Sequence, residues 1–112
     1  MSLLAEREYY KPFNYPWAFE HYKTQQHMHW LADEVPLADD LNDYREKMSD
    51  GQKKLLSSLF RFFTQVDVDV CCGYAKHYLP TFKQPEVRMM LSAFAAMEAV
   101  HQEAYSLLLE TL

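Results

Sequence analysis

From residue 50 onward, apolar side chains recur at alternating spacings of four and three. The first stripe reads Leu56, Phe60, Phe63, Val70, Tyr74 and His77, with Asp67 at its middle. The second reads Leu91, Phe94, Tyr105, Leu108 and Leu112, with Glu98 and His101 at its middle. This is the seam periodicity of packed α-helices. Ser49 fits a helix N-cap and Gln52 stands at the capping-box position, so a helix is predicted over residues 50–79, a run without proline. Pro80-Thr81-Phe82-Lys83-Gln84-Pro85 breaks it. Pro85 suits the first turn of a second helix over residues 86–112. Two long helices joined by so short a turn form an antiparallel hairpin. Upstream, residues 17–31 hold no breaker and are predicted helical. Residues 1–16 read as an extended arm, with prolines and aromatics clustered over 8–16, suited to lie across a neighbouring surface. Residues 32–41 form a loop around Pro36, followed by a short helix to Met48. No run alternates with period two, so the expected class is all-α.

Composition narrows the function. A chain of 112 residues makes at most one domain, and 15% aromatic content exceeds what so small a core needs. Part of the apolar surface is therefore expected to meet another chain. The net charge of −5 and the absence of a basic patch argue against nucleic acid as a partner. No apolar stretch is long enough to span a membrane, and the N-terminus lacks the features of a signal peptide, so a cytoplasmic location is expected. The two cysteines, Cys71 and Cys72, are adjacent and cannot easily bond to each other in a helix. They read as small buried thiols.

The polar interruptions of the two stripes carry the chemistry. A bare carboxylate in an apolar core costs several kcal/mol unless it is paired or binds a metal. Asp67 and Glu98 each lie about 15 residues from the midpoint of the turn, roughly 23 Å up their helices, so an antiparallel hairpin sets them side by side. Glu98 and His101 are three apart, one above the other on one helix face. Two carboxylates and an imidazole converging in an apolar bundle make half of a carboxylate-bridged dimetal site. Alone, an E-x-x-H pair is common and reads as hydrogen-bonded core polars rather than as a metal site; Asp67 at matched height turns the reading to metal. Asp69 and Glu103 project away from the stripes and read as solvated. His77 reads as a capping or surface residue, and His27 and His29 as surface histidines. The acids Asp33, Glu34, Asp39, Asp40 and Asp43 lack EF-hand spacing and read as solvated or capping charge. Tyr105 falls one turn beyond His101 on the same face, with Phe94, Leu108 and aliphatic residues expected around it. By itself it reads as a core tyrosine.

Asp67 in Thr-Gln-Val-Asp-Val, the Glu98-Ala-Val-His101 motif and Tyr105 four residues later resemble the small, radical-generating subunit of class I ribonucleotide reductase. The run from Arg88 to Tyr105 is similar to that family throughout, and His29-Trp30-Leu-Ala-Asp-Glu-Val resembles its segment bearing the radical-transfer tryptophan. The resemblance covers about residues 8–112. It implies a ferritin-like bundle, here the N-terminal half of a single domain. It implies Asp67, Glu98 and His101 as ligands of a dinuclear iron, manganese or mixed manganese–iron centre, with Tyr105 as the radical site and Trp30 as the electron relay. The implied partners are the remaining C-terminal part of the small subunit, which bears another Glu and another Glu-x-x-His, a second small subunit, and the large catalytic subunit. On this reading the isolated chain is inactive. Two alternatives remain open at this stage: a non-catalytic helical interaction fragment, and a self-associating, metal-binding ferritin-like bundle.

Overall fold

The computed structural model describes residues 2–112, and all regular structure among them is helical. Helix α1 spans Pro16–His27, a 3-10 turn Ala32–Glu34, α2 Ala38–Lys47 and α3 Asp50–Gly73. A π-turn over Tyr74–Tyr78 and the short α4, Leu79–Thr81, lead to α5, Pro85–Thr111. The contacts divide the chain into two units. One takes in the chain up to His29 together with Asp69–Glu98, and the other joins Trp30–Val68 to Ala99–Leu112.

In the first unit, Ala18, Val87, Met90 and Leu91 form a buried cluster, covered by partly buried residues that include Tyr22, Tyr74 and Phe94. Cys71 Sγ faces Ala95 O at 3.8 Å, while Arg88 Nε donates to Leu79 O at 3.1 Å. The second pair lies nearer the turn on both sides, so the two segments run antiparallel. Residues 2–15 form no helix or strand, and part of this arm packs against α5 and the turn before it. Arg7 enters the unit's interior, where it is 6% exposed, and forms a bidentate pair with the fully buried Glu86. It also donates to Gln84 Oε1 at 2.8 Å and to the carbonyls of Tyr9 and Tyr10. Gln84 Nε2 returns a bond to Ala5 O at 2.7 Å. Among the arm's aromatic rings, Phe13 lies 5.0 Å from Tyr10 and 5.0 Å from Phe19.

In the second unit, Ala32 and Val100 are buried. Tyr44 of α2 meets Ser57 of α3 through their hydroxyls at 3.4 Å. Ser49 caps α3 reciprocally: its hydroxyl accepts from the Gln52 amide at 3.2 Å, and Gln52 Oε1 accepts from the Ser49 amide at 2.9 Å. An outer stripe of α3 is uncovered, with Leu55 and Phe62 each 62% exposed.

Three boundaries differ from the sequence expectation. The helix expected over 17–31 begins at Pro16 and stops at His27. Its continuation loses to a local alternative, because the Leu31 amide bonds to the Glu34 carboxylate and opens the 3-10 turn. The short helix before Met48 starts early, at Ala38. The helix expected over 50–79 instead widens at Tyr74 and continues through Pro80 to Thr81. A proline ring clashes with the carbonyl four residues before it, here that of Lys76. The π-turn relieves this by pairing the Leu79 amide with Tyr74 O, five residues back. The break is then only Phe82–Gln84, and Pro85 opens α5 as expected.

Candidate metal centre

Asp67 sits on α3, and Glu98 and His101 sit on α5. Asp67 and His101 belong to the second unit; Glu98 closes the first, one turn before His101 in the same unbroken helix. Each of the three offers one ligand atom, and these atoms lie within 4.8 Å of one another. All three side chains are half-buried. Asp67 Oδ2 is buried and has no hydrogen-bond partner among the described residues. An ionised carboxylate can only accept, and leaving it desolvated without a donor costs roughly 1–3 kcal/mol or more. A cation removes that cost. Two carboxylates and one imidazole are a donor set suited to divalent iron or manganese, so the residues fit the metal that the resemblance implied.

The surroundings are aromatic. The Trp30 ring lies 6.1 Å from the His101 ring, tilted by 34°. Trp30 is outside α1, in the segment between His27 and the 3-10 turn, which corrects its expected place on the first helix. Tyr105 is flanked by Phe60 at 6.0 Å and Phe63 at 5.6 Å. Phe94, expected beside Tyr105, is not its neighbour: eleven residues of helix separate them by about 16 Å of rise. Phe94 packs instead on the core of the first unit. Burial, and then the charge of Glu98, raises the pKa of the Tyr74 phenol. Gln102 Nε2 donates to the Asp67 main-chain carbonyl at 3.2 Å.

Residues that the sequence placed outside the site stay outside. Asp69, Glu103, His27, His29 and His77 are all exposed. The cysteines are free as expected, but only Cys71 is half-buried; Cys72 is exposed, because adjacent helical positions diverge by about 100°. Sequence reasoning did not single out Tyr74, Gln102 or the Arg7–Glu86 pair. Tyr74 was readable only as one more aromatic on the stripe. The Arg7–Glu86 contact spans 79 positions with no periodic signal to connect its ends.

Comparison with known proteins gives the family. The chain matches the family described as ribonucleotide reductase, small chain, over residues 7–112. It is 53% identical over its whole length to a protein of Invertebrate iridescent virus 6 described as a probable ribonucleoside-diphosphate reductase small subunit, and covers 31% of that relative. A protein of the same description from Invertebrate iridescent virus 3 is 46% identical over the whole chain, which covers 30% of it. The ribonucleoside-diphosphate reductase small chain of Trypanosoma brucei brucei is 32% identical over 89% of this chain and 29% of its own length. The chain thus spans about a third of the length of these relatives. Its all-helical structure accords with the ferritin-like fold of that group. The chain belongs to the ribonucleotide reductase small-chain family.

Proposed function

We propose that this chain is the N-terminal part of a ribonucleoside-diphosphate reductase small subunit and contributes half of its dinuclear metal centre. Asp67, Glu98 and His101 are the ligands it contributes, and the orphaned, buried Asp67 Oδ2 among converging donors is the observation that supports this most strongly. When bound, a pair of iron or manganese ions, or one of each, supplies oxidising power drawn from O2. The chain's own residues do the rest. Asp67 and Glu98 bring negative charge that holds cations, and His101 adds a neutral nitrogen donor. Tyr105 would be the residue oxidised to a tyrosyl radical, losing one electron and its hydroxyl proton to the oxidised centre. Phe60, stacked on that ring, and Phe63, tilted against it, keep water and reductants from it. Trp30, beside His101, carries an electron between the site and the large subunit. The second ligand set, another Glu and a Glu-x-x-His pair, comes from the remainder of the small subunit. A second small subunit and the large subunit complete the enzyme that reduces ribonucleotides.

The test is electron paramagnetic resonance on the chain combined with the remaining small-subunit helices, loaded with metal and exposed to O2. A tyrosyl signal is expected, and Tyr105→Phe should abolish it while metal content stays unchanged. A signal that survives Tyr105→Phe would place the radical on a different tyrosine.

A further inference from the structure

We propose that Gln102 is a positioning residue for the metal centre, acting through its bond to the main chain of Asp67. The inference rests on the reading of Asp67 and His101 as ligands. Gln102 Nε2 donates to Asp67 O at 3.2 Å, across 35 positions of sequence and in a partly buried setting. The carbonyl it uses lies inside α3, where the helix already supplies one donor from four residues ahead. A carbonyl oxygen has two lone pairs, and Gln102 takes the second. The bond therefore joins the backbone of one ligand to the residue next to another ligand.

The consequence is a matter of register. The stripes that pack here are largely apolar, and apolar contact is non-directional. Phe60, Phe63 and Tyr105 can slide along one another by a fraction of an ångström at little cost. A metal cannot accept that freedom, since ligand distances are held to about 0.2 Å. A directional amide–carbonyl bond one residue from His101 fixes the height of α5 against Asp67. Ordering a glutamine costs rotamer freedom that solvent exposure would spare. A second contact, Cys71 Sγ to Ala95 O at 3.8 Å, is long and uses a weak donor. It touches no ligand's backbone, so it serves as a control.

The experiment is calorimetric titration, with cobalt(II), of the chain combined with the remaining small-subunit helices, paired with circular dichroism melting of the metal-free protein. Gln102→Met keeps the length and removes the donor; Gln102→Leu is a second version. Both should bind cobalt(II) about fivefold more weakly, in line with the loss of one ordinary hydrogen bond. Metal-free helix content should be unchanged, and Cys71→Ala should bind as the parent does. Parent-like affinity in a folded Gln102→Met would overturn the proposal while Asp67→Asn still weakens binding. If both Gln102 variants lose helix content before metal is added, the bond serves the fold and the proposal is again overturned. If Asp67→Asn and His101→Ala bind as tightly as the parent, the metal reading itself fails and takes the proposal with it.

Discussion

A buried carboxylate oxygen without a donor persists only when something else replaces the water it lost. Asp67 Oδ2 is such an atom, and the nearest chemistry is Glu98 and His101. The Trp30 ring, tilted beside His101, gives the same residues a conjugated neighbour. The two roles separate by mutation. In the chain combined with the remaining helices, Trp30→Phe should keep the metal and the Tyr105 radical but lose nucleotide reduction with the large subunit. Turnover at the parent rate would remove Trp30 from the electron path. The three residues that converge here could be found in the sequence because each falls on a helical stripe and breaks its apolar pattern. Gln102 could not, because a glutamine beside a histidine carries no pattern, and its partner is a backbone atom 35 positions away.

At the scale of elements, local signals located α3 and α5 well and failed where local alternatives competed. The Ser49–Gln52 capping box is present as the sequence indicated. Ser49→Ala removes a hydroxyl that satisfies one otherwise open amide, at a cost of about 1 kcal/mol. The thermal midpoint should fall by about 5 °C, with faster amide exchange in the first turn of α3. No change in either would show that water caps this end equally well. Pro80 looked like a helix stop, yet the backbone passes it through a π-turn. Proline forbids the regular i→i+4 geometry, and a wider turn avoids the clash without ending the helix. The end of α1 was illegible for the opposite reason. Residues 28–31 contain no breaker, and the helix yields there to the Glu34 carboxylate on the Leu31 amide.

For the whole molecule, the arm is tied down by charge in a way composition could not reveal. Burial alone would push the Glu86 carboxyl up. Its hydrogen bonds and ion pair with Arg7 more than offset this, and the pKa lies below its ordinary value of 4.5. A carboxyl depressed in the folded state adds stability above its unfolded pKa, and that stability is lost as pH falls through the folded value. The thermal midpoint should therefore drop between about pH 5 and pH 3, and Glu86→Gln should flatten part of that drop. Equal pH dependence in both proteins would show that the Arg7–Glu86 pair contributes nothing through its charge. Leu55 and Phe62 are exposed apolar surface of the kind that the aromatic content of the sequence led one to expect.

The central claim, that Asp67, Glu98 and His101 hold a metal, is tested most directly by anomalous diffraction from crystals of the chain grown with manganese. The account predicts a single strong anomalous peak within coordination distance of all three side chains, lost in Asp67→Asn. A peak elsewhere, for example at His27 and His29, or none at these three residues under saturating manganese, would contradict it.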